Sequence, residues 1–187
     1  MKILFLDIDG VLNSSAYRTN KLLEEKDYSV LIEPEKVEML RRIVDATEAQ
    51  IVLSSSWNKF WDFNPVDNAG KRINDALAAC GLRIMDKTPW IRDSTRSQQI
   101  DAWLQNKQYI EQYAILDDND HAWSFRHQSH WVQTDGVIGL DETTVIQAIS
   151  VLHGNLIPIK QAPKKNLSQR IISTINRLLG FDEDKLK

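Results

Sequence analysis

Cysteine is all but missing from this chain of 187 residues: Cys80 is the only one. A single thiol excludes an internal disulfide and any metal site built on a cysteine cluster. Glycine and proline are scarce too, at seven and five, which excludes a collagenous or low-complexity chain. No apolar run approaches the roughly 20 residues that a membrane-spanning helix needs, so no membrane partner is expected. Lys2 leads directly into an apolar run and then into acids, unlike a signal peptide. Neither charge dominates, since 23 basic and 26 acidic residues leave a net charge of −3. With 42% apolar residues, what remains is an ordinary globular chain, able to bury about two-thirds of its unfolded surface. A cytoplasmic enzyme is the expectation.

The charge is unevenly placed. Residues 1–159 carry 16 basic and 23 acidic side chains, a balance of −7, while 160–187 carry 7 and 3, a balance of +4. An acidic body does not suit a protein that simply coats nucleic acid. Pro158 and Pro163 mark a linker, beyond which Leu167, Ile171, Ile172, Ile175, Leu178 and Leu179 recur at helical spacing. The expected organisation is a domain over 1–157, then a linker and an amphipathic C-terminal helix over 158–187. Such a stripe most often docks on its own domain, and a partner protein is the other reading of it.

Within the body, short apolar runs alternate with helical stripes. Lys2–Leu6, Gln50–Leu53, Tyr113–Leu116 and Trp131–Gln133 read as buried strands. Between them, Pro34 opens a helix with Val37, Leu40, Ile43 and Val44 on one face, and Ile73, Ala76, Leu77 and Cys80 mark another that stops at Gly81. Asp93 or Ser94 is placed to cap a helix bearing Ile100, Trp103 and Leu104, and Asp141 to cap the next. The alternation predicts an α/β three-layer sandwich with a central parallel sheet.

Chemistry concentrates where those strands end. Asp7 and Asp9 follow the first strand, Ser54, Ser55 and Ser56 follow the second, and Asp117 and Asp118 follow YAIL. Strands of one parallel sheet ending in acids bring four carboxylates to one edge, which is costly unless a cation neutralises them or a proton is retained. A hard divalent ion such as Mg²⁺, with oxygen ligands, resolves the repulsion. Hydroxyls at the same edge donate to phosphate oxygens without adding charge.

This pattern resembles the haloacid dehalogenase-like (HAD) phosphohydrolases, whose motifs occur here in the family's order over about residues 2–150. They are LFLDIDGVLN, IVLSSSW, an arginine in DSTRSQQIDAWL, and AILDDND. The resemblance implies a Rossmann-like fold and hydrolysis of phosphomonoesters through an aspartyl-phosphate on Asp7, with Asp9 as acid and base. It implies Mg²⁺ held by Asp7, the main-chain carbonyl of Asp9, and Asp117 or Asp118. Ser54 or Ser55 would bind the phosphate, Ser55 being favoured because related sequences place the hydroxyl two before the Trp. Arg96 would add the positive charge, with Arg92, Lys71 and Lys87 as rivals. The order of short motifs is also similar to phosphatase domains of RNA and DNA repair, which implies a phosphorylated RNA or DNA end as substrate. A mononucleotide phosphatase, a phosphoprotein phosphatase and a non-catalytic binding module stay open beside it.

Two stretches bear on access. Residues 13–33 are short and polar, and 58–95 hold about one helix, a short strand and loops, so only a minimal cap and an open site are expected. His121, His127 and His130 read as surface or loop-packing residues, since no regular ligand spacing joins them. Trp103 fits a core stripe. Trp57, Trp61 and Trp90 fall in loops at the catalytic edge, where packing or base stacking would employ them.

Overall fold

The computed structural model describes residues 1–25, 32–59, 61–62, 68–105, 107 and 109–159. The expected C-terminal helix lies outside them. β1 (Lys2–Leu6) is followed by α1 (Ser15–Glu25), α2 (Pro34–Thr47) and β2 (Gln50–Leu53). A 3₁₀ turn (Ser56–Lys59), α3 (Asn68–Ala79) and β3 (Ile84–Lys87) come next, then α4 (Arg96–Gln105) and β4 (Gln112–Asp117). The short α5 (Phe125–Gln128), β5 (Trp131–Gln133) and α6 (Glu142–Leu152) complete the unit. Among the described residues no helix is long and apolar enough to cross a membrane.

The five strands form one all-parallel sheet in the order β3-β2-β1-β4-β5. Side-chain alternation divides each strand between two cores. Leu4, Leu6, Ile51, Leu53, Ala114 and Leu116 face a core shared with α2, α3 and α6. Ile3, Phe5, Val52, Tyr113 and Ile115 face the opposite core, filled by Ile100, Trp103 and Leu104 of α4 and by Trp123. The Phe5 ring meets Trp103 edge-on at 5.4 Å between centroids, a favoured aromatic geometry. Strands covered on both faces explain why their sequences read as unbroken apolar runs.

The chain runs outward from β1 through β2 to β3, then returns to lay β4 on the other side of β1. Open α/β sheets leave a crevice at such a reversal, outside the C-terminal ends of the strands. Leu6 pairs with Leu116 on one side and Leu53 on the other, so Asp7, Asp117 and Ser54 come next at one level across three strands. The Asp7 amide donates to the Leu116 carbonyl at 3.0 Å, and the Ser54 amide to the Leu6 carbonyl at 2.8 Å.

Two local expectations change. The polar stretch after Asn13 contains α1, whose composition, SAYRTNKLLEE, hides its helical period. The cap of α4 is Thr95 rather than Asp93 or Ser94: Thr95 N donates to Gln98 Oε1 at 2.9 Å and Gln98 N to Thr95 Oγ1 at 3.3 Å. That reciprocal pair is a capping box, and Asp93, at φ +57°, lies in the turn before it. α3 packs into the domain core through Ile73 and Leu77 and adds no lid, in line with the minimal cap expected.

Candidate active site

Asp7 and Asp117 occupy neighbouring strands at the same level, and both are odd-numbered continuations of the face that α4 covers. Both are buried. Arg96 opens α4 directly above them. Its Nη2 lies 3.6 Å from Asp7 Oδ2 and its Nε 3.8 Å from Asp117 Oδ2, so one guanidinium spans the two acids. The rivals are engaged elsewhere: Lys87 Nζ donates to the carbonyls of Asn58 and Trp61, Arg92 is exposed beside Asp93, and Lys71 is exposed.

The environment of Asp7 is unfavourable to its charge. Burial pushes its carboxyl up to about 7, and the charge of Asp117 pushes the same way. Arg96, the Ser55 hydroxyl and the Ile8 amide pull against them, the amide donating at 2.7 Å. The repulsion felt by Asp7 therefore comes from Asp117 across the sheet, not from its sequence neighbour Asp9.

Asp9 has turned away from that pair. Its Oδ1 accepts from Asn13 Nδ2 and its Oδ2 from Trp57 Nε1, each at 2.8 Å. Arg18 of α1 lies 3.6 Å from Oδ1. Gly10, at φ +70°, makes the turn possible, a conformation that glycine enters without steric cost. Its amide donates to Asn13 Oδ1 at 3.1 Å, and its carbonyl accepts from Thr134 Oγ1 at 2.8 Å.

The two acids after YAIL part company. In extended backbone adjacent side chains leave on opposite faces, so Asp118 points away from Asp7 and against the Gly10 turn. A Cβ at Gly10 would stand 2.3 Å from Asp118 Cγ, and one at Gly136 2.6 Å from its Oδ2. Burial, then the charge of Asp117, holds the Asp118 carboxyl above its ordinary value. The four carboxylates thus meet at one sheet edge, as Asp7 with Asp117 on one face and Asp118 beside the Asp9 loop on the other.

His121 lies in the loop after β4, packed edge-on against Trp123, and from there it also reaches the acid pair. Its Nε2–H donates to Asp117 Oδ1 at 3.1 Å, and that bond raises its imidazole above the ordinary range. Asn119 N also donates to Asp117 Oδ1, at 3.0 Å, which leaves Oδ2 turned toward Arg96. Asp7, Asp117 and His121 present ligand atoms within 4.8 Å of one another. The four-residue step from Asp117 was the available signal for His121. By contrast His127 is fully buried, with Nδ1 2.9 Å from the Tyr113 hydroxyl, and His130 stacks on the Tyr113 ring.

Above the acids opens a cleft of about 350 Å³, lined by Ser55, Lys59, Trp90, Arg96 and His121 among others. Ser55 faces this space. Ser54 is also buried, but its Oγ finds no hydrogen-bond partner among the described residues. Trp57 is tied to Asp9, and Trp61 is buried with its Nε1 donating to Asn74. Trp90 alone of these three loop tryptophans is exposed.

Residues 3–145 match the family described as the HAD domain in Swiss Army Knife RNA repair proteins. The chain belongs to this family. Comparison with curated proteins and with solved structures gave no match. For a HAD domain the aligned strand ends, the Asp7–Asp117 pair and the Arg96 bridge form a single constellation at the sheet's reversal point. HAD domains are generally phosphatases that use Mg²⁺, and the pair of buried carboxylates suits such a hard ion: oxygen donors, matched level, and a charge in need of a counterion.

Proposed function

We propose that this HAD domain is a Mg²⁺-dependent phosphomonoesterase that removes terminal phosphates from RNA or DNA ends through an aspartyl-phosphate on Asp7. The observation that carries the reading is the juxtaposition of Asp7 and Asp117 with Arg96, which itself lines an open cleft. In this reading Asp7 and Asp117 would hold the metal with the Asp9 main-chain carbonyl, and Asp118 would support the set from the other face. Bound there, Mg²⁺ would offset the negative charge shared by the carboxylates and the incoming phosphoryl group.

The remaining roles fall to side chains of the cleft. Asp7 Oδ attacks phosphorus in line as the bond to the leaving oxygen breaks, and Asp9 gives that oxygen its proton. Asp9 then takes a proton from the attacking water, whose oxygen bonds to phosphorus as the Asp7–phosphorus bond breaks. Inorganic phosphate leaves and both carboxylates return to their starting states. Ser55 and Arg96 hold the non-bridging oxygens, Arg96 with a planar fork suited to a phosphoryl group. Ser54, one position earlier, does not line the cleft as Ser55 does and is the weaker of the two serines.

RNA or DNA ends are favoured over small metabolites because the cleft is open and neither insertion folds as a separate lid among the described residues. The family's occurrence in RNA repair proteins supports the same choice. The test is Mg²⁺-dependent hydrolysis of p-nitrophenyl phosphate, followed by 3′- and 5′-phosphorylated oligonucleotides, mononucleotides and phosphopeptides in parallel. Faster turnover of oligonucleotides is expected. No turnover of any ester with Mg²⁺ would leave a binding module in its place.

A further inference from the structure

The wall of the active-site cleft at Trp90 is shared with a second cleft. This second space measures about 440 Å³ and is lined by Lys87, Thr88, Pro89, Trp103 and Lys107, with Trp90 again at its edge. Among the described residues Trp90 is the one that lines both. It is 57% exposed, a large indole held out at the end of β3 by the Thr88-Pro89 step.

A lysine stands over an indole in each cleft. Lys59 Nζ stands 5.2 Å from the centroid of the Trp90 ring. In the second cleft Lys107 Nζ stands 4.9 Å from the Trp103 centroid and 3.0 Å from Asp86 Oδ2. Trp103 Nε1 donates to that same oxygen at 2.9 Å, so Asp86 is shared between the indole and Lys107 and holds the ammonium at the cleft wall. The residues lining the two clefts include Lys59, Lys87, Arg96 and Lys107. Arg96 spans Asp7 and Asp117, Lys107 pairs with Asp86 and Lys87 donates to two carbonyls, while Lys59 stands over Trp90. This is a basic strip on a body whose residues 1–159 sum to −7. A π face between separated cations matches the repeat of a single strand, base beside phosphate, because stacking holds any base and lysines hold the backbone.

We propose that Trp90 and the second cleft form a subsite for single-stranded nucleic acid. The phosphate-bearing nucleotide sits in the first cleft, the base of its neighbour stacks on Trp90, and the phosphodiester that joins the two reaches Lys107. The proposal rests on the phosphatase reading for which nucleotide sits where. The strip itself stands on the geometry of Trp90, Lys59 and Lys107. Its consequence is a substrate length requirement: a mononucleotide fills only the first cleft, and a dinucleotide fills both.

The experiment compares kcat/KM for a terminally phosphorylated mono-, di- and trinucleotide on the same protein, in RNA and DNA arms. Wild type is expected to favour the dinucleotide by about tenfold, the scale of one stacked base. Trp90→Ala should bring this ratio close to one, Trp90→Tyr should keep most of it, and Lys107→Ala should lower it and flatten its salt dependence. Because each figure is a ratio, losses common to all substrates cancel. A ratio near one in active wild type overturns the subsite, as does a ratio that Trp90→Ala leaves unchanged, or preferred turnover of a phosphopeptide. Should the protein hydrolyse none of these esters, the phosphatase reading fails by itself. Anisotropy of a labelled unphosphorylated single strand then decides the subsite. Binding weakened about tenfold by Trp90→Ala supports it, and no binding to wild type overturns it.

Discussion

Trp57 donates its indole N–H to Asp9 Oδ2 at 2.8 Å, linking the turn after β2 to the loop after β1. With Asn13 on the other oxygen, the carboxyl group is fixed in rotation. A proton donor to a leaving oxygen needs that fixity, since general acid–base catalysis is worth about 10²–10⁴-fold and depends on geometry first. Trp57→Phe keeps the ring and removes the bond. It should lower kcat about tenfold for an alkyl phosphate and much less for p-nitrophenyl phosphate, whose leaving group needs no proton. Equal losses on both substrates would mean that Trp57 acts through packing and not through Asp9.

Asp7→Asn should abolish turnover and leave the fold intact. The pH dependence of stability gives a second reading. Asp7 ionises in the folded protein at about 7 and, once unfolded, near the ordinary carboxylate value. Between those values the folded state holds a proton that the unfolded state has released, so the contribution of Asp7 to stability falls as pH rises from about 4 to 7. Burial holds His127 and His130 below their ordinary range, and they act in the opposite direction as pH falls below about 6.5. The difference between wild type and mutant isolates Asp7. In EDTA the mutant should melt a few degrees above wild type at pH 8, at roughly 2–4 °C per kcal/mol for a chain of this size. The gap should close toward pH 4. A gap independent of pH would contradict the raised Asp7 value.

Gly10→Ala tests the turn that follows Asp9. The added methyl would fall 2.3 Å from Asp118 Cγ at a backbone φ of +70°. Asp118 is hemmed in again at Gly136, so the collision is not relieved by a small rotation. The substitution should cost about 1–3 kcal/mol in denaturant unfolding and at least tenfold in turnover. Combined with Asp118→Ala, its stability cost should be less than the sum of the two. Strict additivity would place the strain in the backbone alone.

Much of this architecture is legible because strands buried on both faces announce themselves as apolar runs, and the acids stand where those runs stop. Lys2–Leu6, Gln50–Leu53 and Trp131–Gln133 emerge with the bounds read from sequence, and YAIL gains Gln112 and Asp117. What periodicity did not convey is which face each acid takes. Asp117 and Asp118 look equivalent as a pair, but the pleat sends only Asp117 toward Asp7. The helix α1 was illegible because its polar stripe lacks a 3.6-residue apolar signal. Thr95 and Gln98 did carry a capping-box spacing, hidden behind the more conspicuous Asp93. His121 and Trp57 stand out in the sequence as residues, but their contacts to Asp117 and Asp9 do not, the four-residue step from Asp117 to His121 being the one hint.

The parting of Asp117 and Asp118 sets the final prediction. If Asp7 and Asp117 hold Mg²⁺ directly, the metal should raise the melting temperature of wild type. At free metal a hundred times its dissociation constant the gain is about 2.7 kcal/mol. It should diminish below about pH 7, where protons compete for Asp7. Asp117→Asn removes one of the two carboxylates and should lose both the thermal shift and activity. Asp118→Asn, acting from the far face of β4, should keep the shift and raise the Mg²⁺ needed for half-maximal activity several-fold. Ca²⁺ should stabilise wild type but support little turnover, because it is larger and looser in coordination than octahedral Mg²⁺. Thermal melts and metal titrations of the two variants side by side make the measurement. Equal effects of the two substitutions, or full activity of wild type in excess EDTA, would mean that the face taken by each acid does not decide which one meets the metal.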